Sequence, residues 1–419
     1  MSSPSTQSES HSGHADQDHA DDLVRQVEHE SEQNIWACYQ CGKCMADCPF
    51  SLTPNVVVRM LQLGEVDAAR RLATTWECAS CYTCQTQCPK GVSPARVIKA
   101  LRTVQFAGEG NGRMPHSNGT EMVLASMSGA ATVSSGPRYV NPGSYGGLGA
   151  RFRARFFAAM PGLLQMGSRF AWFSNLATRV PGARLFAHLF FGVHKKRPLP
   201  LFASQSFGAW FAARKAISDG HRGRVLLFHD TFMDVSYPET GIAATELLDM
   251  AGFKVELADN VCCGRPAISK GLVELATKAA IQNVERLYAA AAEGVPIVGC
   301  EPSCLLSLRD EYPHLVPADM KAKAEVVAKQ TFLVDEFLAE LSEKGELELK
   351  WKAVASERRP VLFHGHCHQK AFAHPQKSLD LLELAGYDTT FANAACCGMA
   401  GAYGVEKEHY EASRLAGER

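Results

Sequence analysis

Hydrophobic patterning divides the chain. Over "PNVVVRMLQLGEVDAARRLA", which begins at Pro54, apolar positions recur at helical spacing, and a proline at the first position suits a helix start because its φ is already set. Past residue 224 the pattern changes to short apolar runs, "VLLF" and "KVELA", then "VLF" and "DTTFA", with an amphipathic stretch ending in glycine inside each pair. These predict strand–helix–strand units, which pack as α/β modules with parallel sheets. The two units are copies. Laying 225–271 over 361–404 aligns "LFHDTF" (227–232) with "LFHGHC" (362–367), "LLDMAGF" (247–253) with "LLELAGY" (381–387), and "CCG" (262–264) with "CCG" (396–398). Nine residues separate Gly252 from Cys262 and nine separate Gly386 from Cys396. Chance does not keep that register, and open α/β sheets gather such loops at the C-terminal ends of their strands.

Elsewhere the pattern fails, and composition takes over. Residues 1–34 carry eight Asp/Glu against one Arg, so they are expected to form a disordered acidic tail whose histidines (His11, His14, His19, His29) are solvated rather than metal-bound. Residues 107–150 are rich in Gly, Ser and Pro and read as a linker. Residues 151–200 have nine Lys/Arg, no Asp or Glu and many aromatics, with Pro161 and Pro181 expected to break the stretch into short pieces. Helices packed on the domain are the expectation there, with a membrane surface or an acidic partner as the alternative. The formal net charge of −1 argues against nucleic acid as a partner. No run of eighteen apolar residues and no signal-peptide pattern occurs, so a cytoplasmic location is expected, extending to the inner membrane face if the chain is peripheral. The expected organisation is a tail (1–34), a domain holding eight of the cysteines (35–106), a linker (107–150), a basic aromatic connecting region (151–223), a first CCG module (224–316) and a second, truncated one (317–419).

Cysteine placement carries the chemistry. Fourteen of the fifteen cysteines sit in tight groups, at 38/41/44/48, 78/81/84/88, 262/263, 300/304 and 396/397, with Cys367 alone. A reducing compartment disfavours disulfides, so metal ligation is the better reading. "CYQCGKCMADCP" and "CASCYTCQTQCP" each read Cys-x2-Cys-x2-Cys-x3-Cys-Pro. In that run three thiolates wrap one [4Fe–4S] cube while the fourth reaches to the other. Cys38, Cys41, Cys44 and Cys88 are therefore assigned to one cluster, and Cys78, Cys81, Cys84 and Cys48 to the second. Zinc would instead use paired Cys-x2-Cys knuckles separated by a longer loop. Trp76 and Tyr82 are candidates to shield a cluster from water, or else plain core aromatics.

The CCG pairs need a kink. Neighbouring side chains on extended backbone point opposite ways, so two thiols on one metal group require the freedom that Gly264 and Gly398 supply. Cys300 and Cys304 follow in "CEPSC", and Cys367 sits between His366 and His368.

These residues resemble the heterodisulfide reductase-related iron–sulfur proteins, the CCG-domain family. The region 35–105 is similar to their two-cluster subunit and 170–416 to their cysteine-rich subunit. Similar fused chains are the iron–sulfur subunits of anaerobic glycerol-3-phosphate dehydrogenase and of glycolate oxidase, and the C-terminal part of flavin-linked D-lactate dehydrogenases. The resemblance implies an α+β chain: an α-helical two-cluster ferredoxin-type domain followed by two α/β CCG modules. It also implies a role in carrying electrons from a flavoprotein dehydrogenase subunit to quinone or another acceptor, with a membrane anchor subunit as a further partner. No Gly-x-Gly-x-x-Gly fingerprint follows a strand, so the flavin is expected on the partner. The alternative implied by the family is reduction of a heterodisulfide or thiol at a CCG-bound cluster.

The chain departs from the family's cysteine pattern. Phe232 stands where the first module's lone cysteine falls, and Glu301 where a further cysteine falls, with Cys300 displaced by one. Only 22 residues follow Cys397, too few for a terminal pair. A third cluster on Cys262, Cys263, Cys304, Cys367, Cys396 and Cys397 is thus an expectation with an incomplete ligand set, and no catalytic residue is assigned.

Overall fold

The structure, a computed structural model, describes residues 12–107, 148–180, 182–347, 349, 359–392, 394 and 396–418. The expected linker lies almost wholly outside them. The chain divides into two compact units, residues 1–151 and 152–419, and no described helix is long and apolar enough to cross a membrane.

The described residues of the first unit are helical. Helices Pro54–Gln62, Val66–Arg71 and Pro94–Ala107 pack around a core that includes Val57, Val58, Leu61, Val97, Ile98 and Leu101. Each such side chain contributes roughly 1.5–3 kcal/mol when fully buried. The acidic tail differs from expectation: Ser12–Ser31 is a helix, with Val24 and Val27 buried in that core and Ala20 and Leu23 packed against it. The spacing 20, 23, 24, 27 is one helical face, and tail-wide polarity conceals it. Beyond the helix, Gln33 accepts a 2.7 Å hydrogen bond from the Ser93 amide. His29 stays exposed at the surface.

The second unit contains two parallel sheets. Strands β1 (Arg224–Leu227), β2 (Lys254–Leu257), β3 (Ile297–Gly299) and β4 (Thr331–Leu333) form a sheet of order β2-β1-β3-β4. Strand alternation sends Leu226 and Ile297 into one core with Val284 and Leu287 of helix Val273–Ala292, and Val225, Leu227 and Val298 into another with Leu248 and Leu338. Both faces are covered, as parallel sheets require. β4 falls in the region expected for the second module, yet it pairs with β3, Ile297 opposite Thr331. The second copy is smaller: β5 (Arg359–Phe363) and β6 (Tyr387–Phe391) pair in parallel with Phe363 opposite Phe391. Its crossover helix Pro375–Leu384 is tied to helix Val334–Glu343 by Lys377 and Glu340 at 2.8 Å.

The basic aromatic region also differs in detail. Helix Leu148–Ser168 runs through Pro161 rather than stopping there. One missing amide costs that helix a single internal bond, and its neighbours hold the rest. Helices Ala171–Arg179 and Ala183–Phe186 follow, neither burying any residue.

Candidate iron–sulfur centres

The two N-terminal loops have matching backbones. Left-handed φ occurs at equivalent places in each: Gln40 and Ser80 (63° and 52°), Gly42 and Tyr82 (78° and 60°), Ser51 and Gly91 (52° and 69°). An L-residue pays about 1–2 kcal/mol for that conformation, so its recurrence marks a coil that the rest of the fold holds in place. The same helix amide approaches each third cysteine: that of Asn55 bonds Cys44 and that of Ala95 bonds Cys84, at the starts of helices Pro54–Gln62 and Pro94–Ala107. Helix N-termini favour negative charge. Behind the loops, Gln62 donates to the Cys38 carbonyl at 2.9 Å and Arg102 to the Cys78 carbonyl at 2.9 Å.

The sulfurs cross between loops. Cys44 lies in the fields of Cys38, Cys41 and Cys88, whereas Cys48 lies in those of Cys81 and Cys78. Burial pushes the Cys44 thiol up to about 11 and the Cys48 thiol up to about 12. Such thiols stay protonated at neutral pH unless a cation compensates them, which is the condition under which metal binding releases protons and stabilises the fold. Tyr82 is fully buried beside this site, and Trp76 donates its indole N–H to the Arg70 carbonyl at 2.6 Å.

The CCG loops also share a turn: Gly264 and Gly398 both have φ 79°. At Gly398 a Cβ would sit 2.0 Å from the Ser413 carbonyl oxygen, so only glycine fits. In the first loop Cys263 Sγ lies 3.0 Å from Cys304 Sγ. The Tyr312 hydroxyl donates to the Cys263 carbonyl at 3.0 Å and accepts from Asn283 at 2.8 Å. Arg265, next along, is gripped by Glu311 and by Ser307 Oγ at 2.8 Å. Cys300 belongs to the other core, its thiol pushed up to about 12 by burial and by nearby Asp230, Asp335 and Glu301.

The second loop faces the first. The helix Cys367–Phe372 packs on helix Pro302–Leu306, which carries Cys304, and His366 Nε2 lies 3.9 Å from Glu301 Oε1. Cys367 and Cys396 are buried, and Cys397 is exposed. Hydrogen bonding from Cys396, then from the Met399 and Ala400 amides, outweighs burial and draws the Cys397 thiol down to about 5. At the repeat position of Cys367, the first module places Phe232, which is 48% exposed.

Comparison with known proteins agrees with this geometry. Residues 37–92 match the family described as 4Fe-4S dicluster domain, and residues 226–309 and 361–419 match the cysteine-rich domain family, CCG. The chain is 31% identical over 195 residues to lactate utilization protein A of an Exiguobacterium species, covering 43% of this chain and 74% of that one. The chain belongs to this family of CCG-domain iron–sulfur proteins. Lactate utilization protein A of Geobacillus kaustophilus is also 31% identical, over 44% of this chain and 75% of its own. A subunit of the anaerobic glycerol-3-phosphate dehydrogenase of Escherichia coli K12 is 29% identical over 281 residues, 64% of this chain and 69% of its own. No solved structure matches.

As a CCG-domain iron–sulfur protein the chain has donors that fit its cofactor: eight thiols in two mirrored coils, with amides aimed at sulfur. Iron–sulfur clusters are its cofactors. Of the six CCG cysteines the structure brings Cys263 and Cys304 into contact, and Cys300 packs against the other core while sharing Asp230 and Glu301 as neighbours with Cys304. Sequence reasoning missed Gln62 and Arg102, although each follows the first cysteine of its motif by 24 residues. It also missed the Arg265–Glu311 pair and the Tyr312–Asn283 brace, which no local motif marks.

Proposed function

We propose that this chain is the iron–sulfur electron-transfer subunit of a flavin-linked dehydrogenase, working in the reducing cytoplasm. One observation carries the reading: the mirrored N-terminal coils, in which Cys44 neighbours Cys38, Cys41 and Cys88 while Cys48 neighbours Cys81 and Cys78. Cys38, Cys41, Cys44 and Cys88 would hold one [4Fe–4S] cluster, and Cys78, Cys81, Cys84 and Cys48 the other. Such clusters carry single electrons at potentials set by hydrogen bonds, charge and exposure. The protein's part is to bury them, to direct the Asn55 and Ala95 amides at sulfur, and to hold both within one small helical core.

The donor would be a flavoprotein subunit oxidising glycerol 3-phosphate, D-lactate, glycolate or another 2-hydroxyacid, a step that releases two electrons and two protons. The acceptor would be quinone or another carrier. Support comes from relatives named as a glycerol-3-phosphate dehydrogenase subunit and as lactate utilization proteins. Anaerobic co-expression with a flavoprotein dehydrogenase tests this: the pair should copurify, and substrate should reduce the clusters, seen by EPR. Reduction of the flavin with no cluster signal would refute the relay.

A second reading, thiol or disulfide reduction at the CCG loops, draws support from Cys397, the exposed cysteine among the six. Native mass spectrometry separates the two. A third cluster bound by Cys262, Cys263, Cys304, Cys367, Cys396 and Cys397 favours an active site there, whereas two clusters alone leave the CCG half as a docking body.

A further inference from the structure

The segment that follows the linker has two unlike sides. Its base packs on itself and is fastened to the rest of the second unit. Phe156 stacks on Phe191 at 4.4 Å, Phe157, Ala187 and Val193 are buried with Ala402 and Val405 alongside, and the His194 amide donates to the Val405 carbonyl at 2.8 Å. Asn175 exchanges two 2.8 Å hydrogen bonds with the backbone of Phe202. These ties make the segment a fixed platform rather than a loose arm.

The outer side is apolar and uncovered among the described residues. Of the twenty-six exposed large apolar side chains among the described residues, twelve fall between Phe152 and Phe190, far more than scattered surface residues would give. Helices Ala171–Arg179 and Ala183–Phe186 bury nothing, yet carry Trp172 (74% exposed), Phe173 (59%) and Phe186 (53%), and the adjoining π-helical turn adds Leu189 (63%) and Phe190 (60%). Exposed arginines, Arg169, Arg179 and Arg184, are interspersed with them, and residues 151–200 contain no acid at all.

We propose that this face binds an anionic lipid bilayer. Trp172, Phe173, Leu189 and Phe190 would enter the boundary between headgroups and acyl chains, and Arg169, Arg179 and Arg184 would pair with lipid phosphates. Aromatic and aliphatic anchors interspersed with basic residues are the chemistry of an element lying in the interface plane. Charge decides against the other occupants. A second copy would bring the same basic patch against itself across a two-fold axis, and a protein partner would have to be both strongly acidic and broadly apolar over one continuous face. The inference stands on this surface alone and holds whether or not the relay reading does.

The test uses the full-length, anaerobically purified protein with its clusters. It should co-sediment with phosphatidylglycerol-containing vesicles at least about tenfold better than with pure phosphatidylcholine, and added salt should weaken the difference. The variant Trp172→Ser/Phe173→Ser/Leu189→Ser/Phe190→Ser should lose binding about tenfold or more, with iron content and visible spectrum unchanged. The variant Arg169→Glu/Arg179→Glu/Arg184→Glu should bind the two vesicle types equally. A native protein that ignores anionic vesicles overturns the proposal, whether it then proves to dimerise through this face or to take an acidic protein there. So does retention of full vesicle binding by both variants.

Discussion

The chain contains two internal repeats, and their copies differ to unlike degrees. In the N-terminal repeat every structural device is kept in register: three left-handed positions, a helix amide on the third cysteine, and a side chain closing on the first cysteine's carbonyl. In the CCG repeat the strand–helix–strand frame and its turn glycines are kept, with φ 89° and 87° at Gly252 and Gly386 and 79° at both Gly264 and Gly398. Around it the copies part, a four-stranded sheet against a two-stranded one, and exposed Phe232 against buried Cys367. Two loops that would exchange their fourth ligands, as proposed, could not change independently. Two modules that each contribute separately to a shared face can.

The strongest way to break this contrast is to remove sulfur. Replacing Cys44 or Cys84 with serine is expected to cost one N-terminal cluster and to loosen the helical unit, because the ligands interlock. Anaerobic iron and acid-labile sulfide analysis should show about half of the N-terminal iron lost in each case. Cys263→Ser, by contrast, should leave those two clusters and their EPR signals intact. Equal loss from all three variants would show that the two halves are not separate sites.

Next in size is the brace behind the first CCG loop. Glu311 is 3% exposed and pairs with Arg265. Glu311→Ala would remove the counter-charge of a largely buried guanidinium and leave it Ser307 Oγ, and breaking such a pair costs about 3–5 kcal/mol. The N-terminal counterpart, Gln62→Ala, removes two hydrogen bonds to backbone carbonyls, worth about 0.5–1.5 kcal/mol each, and an exposed one from Arg59. Denaturant unfolding should rank the two in that order.

How much of this was legible beforehand follows from how local each signal is. The dicluster motif, the parallel strand pairs and the CCG glycines lie in short, spaced stretches, which makes them legible from the chain alone. The helix Ser12–Ser31 was hidden because four apolar residues on one face are outvoted by the acids on the other. Strand β4 was hidden because its partner β3 is set by tertiary pairing across an intervening helical stretch. Arg265 with Glu311 and Tyr312 with Asn283 span 46 and 29 residues, and no periodicity links positions that far apart.

The symmetry of the N-terminal loops is broken at one charged position, and restoring it gives a smaller effect. Gln62 and Arg102 occupy equivalent places, but only Arg102 brings a positive charge, which counteracts the burial that raises the Cys78 thiol. A cation near a cluster favours its more negative, reduced form. Arg102→Gln should therefore lower the potential of the cluster assigned to Cys78, Cys81 and Cys84, by about 59 mV for each tenfold change in equilibrium. Redox titration followed by EPR would show the two potentials drawing together if Cys78's cluster is the higher one. An unchanged potential would mean that solvent screens the guanidinium.

The smallest effect sharpens the CCG comparison through a histidine present in both copies. His229 follows β1, and its counterpart His364 follows β5 and is exposed. Burial lowers the pKa of His229, opposed in part by Asp234 and the Ala258 carbonyl. The unfolded chain then binds a proton that the folded one resists. Stability is therefore complete above the ordinary histidine value of 6.5 and declines as pH falls from there through the lowered folded-state value. His229→Gln should flatten that decline in denaturant midpoints measured on the intact protein. The difference between the native and variant slopes measures what burial beyond the C-terminal end of β1 does to this histidine.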